Sequence, residues 1–376
     1  MELIYFDNGA TTALDPNVVD YMADVMKSTM GNPSSTHKFG RSAKALIEGA
    51  RKRIAKALNC SSAEIIFTGS GTEADNLIMR NAVENLGVER IVSTKIEHAA
   101  VLNTINCLVE NKGVEAEYLS IDSDGEISVE ELDRVLKQSS KKTLVALMYI
   151  NNEIGSIMPM DAVSICCREN AALLHTDAVQ AVGHIPIDLE TLDVDFLAGS
   201  AHKFHGPKGV GFCYFKKGHG VQSLLTGGGQ EKGARAGTEN VHSIAGMAEA
   251  LDIAIKDMEE DTGKILAVKE YMINSLKSFM PGIVFNGCSG DLKRSAYHIL
   301  SAQFPGNAPM LMFNLDLNGI AVSGGSACQS GSNKGSHVLN TFLDEQGRGN
   351  TSLRISFSKY NTKQDVDGLI KVLGSL

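Results

Sequence analysis

The sequence predicts an α/β fold: an open, mostly parallel sheet in a large unit, joined to a smaller α+β unit. Between about residues 60 and 215, short apolar runs alternate with helix-period segments, as they do when helices cover both faces of a parallel sheet. Beyond about residue 240 that alternation gives way to long helices followed by strands and helices in mixed order. The chain has 376 residues, more than a single hydrophobic core usually organises.

In order along the chain, the apolar runs predict strands at Glu64–Thr68, Arg90–Ser93, Thr143–Tyr149, Leu173–Thr176, Val194–Ala198 and Gly209–Phe215. The helical spacing predicts helices at Glu73–Asn85, Ala99–Lys112, Val129–Lys137 and Ala162–Glu169. A long helix is expected from Val241 through Met258, then a helix at Ile265–Met280, a strand at Ala296–Phe304, a helix at Pro309–Asn318 and a further strand. A final strand and helix fill Thr351–Leu373. Residues 15–257 are expected to form the large unit, and 1–14 with 258–376 the smaller one. The stretch Gly324–Gly335, rich in glycine and serine, reads as a loop.

Composition narrows the function classes. Lysine and arginine number 35 against 44 acidic residues, a net charge of -9, which argues against a nucleic-acid footprint built on bulk positive charge. No stretch approaches the roughly 20 apolar residues of a membrane span. The start, running from Glu2 into the apolar Leu3–Phe6, lacks the basic and apolar regions of a signal peptide. A soluble, cytoplasmic protein is expected, with no membrane and no direct nucleic-acid binding. The seven cysteines are scattered with no Cys-x-x-Cys spacing, so they predict reduced thiols and no metal site. Six have apolar or helix-period neighbours and read as buried, whereas Cys328 stands in the glycine-serine stretch.

Several residues at strand ends carry possible chemistry. Ser200-Ala201-His202-Lys203 follows an apolar run directly, and a lysine at the end of a buried strand suits a Schiff base, because desolvation keeps more of it as the neutral amine. Asp177, in His175-Thr176-Asp177-Ala178-Val179-Gln180, suits a partner for a pyridinium nitrogen. Gly69-Ser70-Gly71-Thr72-Glu73-Ala74 offers amides, hydroxyls and a helix N-terminus to a phosphate. His98 suits ring stacking and proton transfer. Asn152, in Asn151-Asn152-Glu153-Ile154-Gly155, and Arg354, between Leu353 and Ile355, suit a carboxylate clamp. Each residue alone also suits an ordinary role: a turn lysine, a helix cap at Asp177, a helix cap at Thr72 or Ser70, a satisfied polar histidine, a surface salt bridge at Arg354. Their recurrence at strand ends on one side of one sheet favours the chemical reading.

Taken in order, these blocks resemble the class V branch of the fold-type I pyridoxal-phosphate enzymes, and within it the cysteine desulfurases. The resemblance covers essentially the whole chain. It includes Tyr5-Phe6-Asp7-Asn8-Gly9-Ala10-Thr11-Thr12, Gly31-Asn32-Pro33-Ser34-Ser35, Arg235-Ala236-Gly237-Thr238-Glu239-Asn240 and Ser323-Gly324-Gly325-Ser326-Ala327-Cys328. It implies a seven-stranded sheet with pyridoxal 5'-phosphate held on Lys203. Asp177 would meet the ring nitrogen, Gln180 the phenolic oxygen and His98 the ring face. Gly71, Thr72, Ser200 and His202 would bind the phosphate, joined by Thr238 from the second subunit of a homodimer. Asn152 would touch both cofactor and substrate, and with Asn32 and Arg354 would hold the substrate carboxylate. His205 stands where an aromatic is common, and Gly324 where a serine is frequent.

Cys328 chooses among the reactions such a scaffold permits. A thiol there would take sulfur from L-cysteine as a persulfide, leave alanine, and pass the sulfur to an acceptor such as an iron-sulfur scaffold or a tRNA-thiolation protein. Lys203 would move the α proton and His98 would deprotonate the substrate thiol. The full spacer from Cys328 to Ser336-His337-Val338-Leu339 resembles the NifS/IscS-like group rather than the shorter-looped SufS-like group. Selenocysteine lyase, or another class V lyase or aminotransferase, would share every cofactor residue. A non-catalytic sulfur-relay protein would not need Lys203, Asp177 and His98 together.

Overall fold

The computed structural model describes residues 3–324 and 335–376. Its strands, in chain order, are β1 (Ile4–Tyr5), β2 (Ile65–Thr68), β3 (Arg90–Thr94), β4 (Glu115–Leu119), β5 (Thr143–Ala146) and β6 (Leu173–Asp177). They continue with β7 (Phe196–Ser200), β8 (Gly211–Phe215), β9 (Val284–Phe285), β10 (Ile299–Phe304), β11 (Ile320–Ala321) and β12 (Thr351–Ser356). A seven-stranded sheet runs β2-β8-β7-β6-β5-β3-β4. Only β8 lies antiparallel to its neighbours; the other pairings are parallel. The carboxyl ends of the parallel strands therefore share one edge.

Side chains alternate between the two faces of this sheet, as a pleated strand requires. Val92, Val145, Leu174 and Leu197 enter one core with the helices Lys38–Ala57, Val129–Lys137, Met160–Glu169 and Val241–Lys256. Ile91, Leu144, Phe196 and Ala198 enter another with the helices Gly71–Glu84 and Ala99–Lys112. A separate antiparallel sheet, β12-β10-β9, packs its apolar residues against the helices Met258–Phe279 and Lys363–Leu373. β1 pairs in parallel with β11, joining the start of the chain to this C-terminal region.

The expected strands and helices of the large unit are present, with ends moved by a few residues. β5 stops at Ala146, but Leu147 and Tyr149 still donate to the carbonyls of His175 and Asp177, so the expected longer run remains paired to β6. The helix expected to reach Met258 stops at Lys256, and the next begins at Met258, earlier than the periodicity suggested. β4 was not expected: it is an edge strand whose Glu115 and Ala116 are exposed, so no apolar run marks it. The helices Pro16–Ser28 and Lys38–Ala57 were also not expected. Asp15 caps the first, accepting from Asn17 N at 2.9 Å, and Pro16 sits in its first turn, where a missing amide costs nothing. Among the described residues no helix is long and apolar enough to cross a membrane.

Candidate active site

At the shared strand edge lies a cavity of about 330 Å³. After β2 the chain turns into the helix Gly71–Glu84, whose cap Ser70 accepts from Glu73 N at 3.2 Å. Gly71 and Thr72 line the cavity from this first turn. A β-carbon at Gly71 would come within 2.6 Å of Val179 Cγ2, so the close approach of the helix end to the loop after β6 requires glycine. Glu73 reaches back to Gly69 N at 2.8 Å and is held by Arg235 Nε at 2.8 Å, which fixes the turn from outside.

After β3, His98 caps the helix Ala99–Lys112 by accepting from Ala100 N at 3.1 Å, and its ring lines the cavity. The bland and chemical readings of this residue are thus compatible, since the cap sets the ring. Asp177 ends β6, is 6% exposed, and accepts from Val179 N at 3.0 Å. Burial pushes its carboxyl pKa up, while His98 and Lys203 pull it down. Gln180 donates to the Gly9 carbonyl at 2.9 Å.

At the end of β7, Ser200 carries a buried hydroxyl with no hydrogen-bond partner among the described residues. His202 lies 3.2 Å from Thr11 Oγ1, and burial, with the charges of Lys203 and Lys208, lowers its pKa to about 4, so the ring is neutral near neutral pH. Lys203 ends the one-turn 3-10 helix Ala201–Lys203 and sends Nζ into the cavity, donating to the carbonyls of Gly9 at 2.7 Å and Ala10 at 2.9 Å. Arg354, on β12, is 2% exposed; it donates to the Asn152 carbonyl at 2.8 Å and to Asp7 Oδ1 at 2.8 Å. The ion pair foreseen as a surface alternative for Arg354 exists, but it is buried on the arginine side. Asn152 meets this guanidinium through its main chain.

The structure therefore brings Gly71, Thr72, His98, Asn152, Asp177, Gln180, Ser200, His202, Lys203 and Arg354 to one cavity. Asn32 and Thr238 do not line it: both are exposed, and Asn32 Oδ1 instead accepts from Ser34 N at 2.9 Å. Cys328 lies outside the described residues. Of the six other cysteines, expected to be buried, Cys60 and Cys107 are only half-buried, while Cys166, Cys167, Cys213 and Cys288 are buried as expected. Burial raises the thiol pKa of Cys60 to about 12 and of Cys288 to about 11, which keeps both protonated and poorly nucleophilic.

Five ionisable residues in or beside the cavity, Asp75, His175, Glu97, Glu153 and His337, were given no role from the sequence. Asp75 sits against His175 Nε2 at 3.2 Å, its pKa pushed well up by burial and by the charges of Asp177 and Glu97. Burial raises Glu97 to about 8, and its carbonyl accepts from His337 Nε2 at 2.9 Å. Glu153 lines the cavity and accepts from Ser336 Oγ; burial raises its pKa. Glu153 stood in a motif that was singled out, but nothing local distinguishes a buried carboxyl from an exposed one.

A family model described as Aminotransferase class-V matches residues 4–369. The cysteine desulfurase IscS of Clostridium botulinum (strain Hall) is 39% identical over 374 residues, covering 98% of this chain and 93% of that protein. The solved structure of a NifS-like protein superposes with a TM-score of 0.91 at 36% identity, covering 100% of both chains. A structure titled SspA in complex with cysteine superposes with a TM-score of 0.79 at 28% identity, over 96% of this chain and 100% of that one. With the blocks of its sequence and the order of its sheet in agreement, the chain belongs to the class-V aminotransferase family, among the cysteine desulfurases of the NifS and IscS kind.

Proposed function

We propose that the protein is a pyridoxal-phosphate-dependent cysteine desulfurase that converts L-cysteine to L-alanine and carries the sulfur as a persulfide on Cys328. The observation that carries this reading is one cavity lined by the Lys203 amine, the buried Asp177 carboxyl, the His98 ring and the Arg354 guanidinium. Its volume, about 330 Å³, suits a small cofactor and an amino acid. The residues fit the cofactor's chemistry. The Ser200 hydroxyl, without a partner among the described residues, and the start of the helix Gly71–Glu84 suit a phosphate, and Asp177 suits a protonated ring nitrogen. When bound, pyridoxal phosphate supplies an electron-poor ring that stabilises negative charge at the substrate α-carbon.

The chain's own groups then divide the work. Arg354 holds the substrate carboxylate, with Asn152 beside it; Asn32, which the family pattern assigns to the same task, lies outside this cavity. Lys203 Nζ takes the α proton and returns a proton to the carbon skeleton. His98 removes the substrate thiol proton. The Cys328 thiolate attacks the substrate sulfur; a sulfur-sulfur bond forms, the carbon-sulfur bond breaks, and its electron pair stays with the carbon that leaves as alanine. The persulfide then passes to a soluble acceptor, an iron-sulfur scaffold or a tRNA-thiolation protein. A homodimer brings Thr238 to the partner's phosphate site. The cysteine bound in the SspA structure supports the choice of substrate.

The test uses two variants. Lys203→Ala should lose the absorbance of lysine-linked cofactor and all turnover. Cys328→Ser should bind cofactor and L-cysteine normally, yet release alanine and sulfide at least about 10³-fold more slowly, since it lacks the covalent nucleophile. Mass spectrometry after incubation with L-cysteine should place the added sulfur on the Cys328 peptide. Persulfide mainly on another cysteine, or near-normal turnover of Cys328→Ser, would sink the assignment.

A further inference from the structure

The main chain of Lys203 is held from the side by a residue that no motif points to. Lys203 ends a 3-10 turn of three residues, so no further helical turn follows to bond its carbonyl. That carbonyl lies 3.0 Å from His184 Nε2. The preceding carbonyl, of His202, is taken by Thr12 N at 2.9 Å and Thr12 Oγ1 at 3.1 Å. Of the three carbonyls of the turn, that of Ala201 is bonded locally by Phe204 N and Gly206 N, while those of His202 and Lys203 depend on partners distant in sequence.

The tautomer of His184 follows from these contacts. A carbonyl oxygen has no proton to give, so Nε2 carries the hydrogen and Nδ1 is the acceptor. Nδ1 lies 3.0 Å from the Tyr297 hydroxyl, which therefore donates to it. His298 stacks on the ring at 4.0 Å with an 11° tilt, fixing its plane. Burial holds the His184 pKa near 4, so a second ring proton does not compete with the Tyr297 hydroxyl at neutral pH. The approach is equally confined: Gly183, at φ +78°, leaves a β-carbon position only 2.7 Å from Phe204 Cβ, the residue after Lys203. Glycine lets the His184 loop close on this turn.

We propose that His184, set by Tyr297, is a positioning residue for Lys203, holding the turn's main chain so that Nζ meets the cofactor carbonyl in register. This rests on the reading of Lys203 as the cofactor lysine. The physical need is specific to that role. An amine on a flexible four-carbon stem must be released from the cofactor and recaptured in every turnover, and where it returns depends on where its Cα is held.

The test strips the protein of cofactor, adds pyridoxal phosphate, and follows first association and then covalent capture by stopped-flow absorbance with borohydride trapping. His184→Phe keeps a ring to stack on His298 but removes both nitrogens. It should slow covalent capture about 10-fold or more, with initial association nearly unchanged, and should lower kcat with KM for L-cysteine unchanged. His184→Gln restores an N–H donor of similar reach and should recover most of the rate, a rescue that mere packing would not give. Tyr297→Phe, which removes one hydroxyl, should slow capture less than His184→Phe does. Wild-type capture by a folded His184→Phe, or a His184→Gln as slow as His184→Phe, overturns the proposal. If His184→Phe does not fold, wild-type capture by Tyr297→Phe overturns it. Peptide mapping of the wild type separates the two readings: cofactor trapped on a residue other than Lys203 defeats the functional assignment itself.

Discussion

Arg354 is almost wholly buried, and its Nε has no hydrogen-bond partner among the described residues. A buried, incompletely bonded guanidinium is costly unless something completes it, and a substrate carboxylate would do so. Arg354→Lys keeps the charge but loses the planar fork. It should raise KM for L-cysteine about 10- to 100-fold, the loss of one or two charge-assisted hydrogen bonds, with a far smaller change in kcat. Steady-state kinetics beside a thermal melt would check this; an unchanged KM would mean that the carboxylate is held elsewhere. At this scale the sequence was informative where a residue ends its strand or stands in the turn just past it, as Asp177 and Lys203 do. Glu97, Asp75 and His337 escaped notice because their chemistry comes from burial and from neighbours distant in the chain: His337 reaches the carbonyl of Glu97 across the fold.

At the scale of elements, the short 3-10 segment Gln230–Gly233 has an unusual backbone. Glu231 and Lys232 have φ of 47° and 57°, a left-handed conformation that disfavours residues with a β-carbon. The segment is fastened by Glu231, whose carboxylate meets Arg51 in two bonds of 2.6 and 2.7 Å and also accepts from Phe67 N at 2.9 Å. Arg51 in turn lies over the Phe67 ring, 4.5 Å from its centre. Arg51→Met would leave the Glu231 carboxylate buried without its counter-charge and should cost about 3–5 kcal/mol. Removing both charges, as Arg51→Met with Glu231→Met, should cost less than Arg51→Met alone; equal or greater loss in urea unfolding would contradict the account. Helices were legible where stripe and cap agreed, as at Val129–Lys137, where Ser128 accepts from Glu131 N at 3.1 Å. Lys38–Ala57 was not, because its buried face is built largely from Ala43, Ala50 and Ala55 with only Ile47 and Ile54 to mark it. Alanine contributes little to an apolar period.

At the scale of the molecule, strand ends of the seven-stranded sheet supply most of the cavity, while Gly9, Ala10 and Arg354 reach it from either end of the chain. The division we propose, 15–257 against 1–14 with 258–376, gives each unit part of the site. Thr238 is exposed and outside this cavity, four residues beyond Ala234 of the buried core and shortly after the segment anchored by Glu231. An anchored loop that presents an exposed hydroxyl away from its own site is what a shared site in a homodimer would use. Mixed dimers can test it. Lys203→Ala and Thr238→Tyr should each be poorly active alone, the first for want of its amine, the second because a bulky ring would block the partner's phosphate site. In a mixed dimer, the Thr238→Tyr subunit contributes an intact Lys203 and receives an intact Thr238 from the Lys203→Ala subunit, so one complete site is rebuilt. Co-expressed, differently tagged subunits purified as the mixed species should therefore recover up to about half of wild-type activity, one site in two. Sedimentation showing a fully active monomer, or mixed dimers no more active than their parents, would place Thr238 outside the catalytic arrangement.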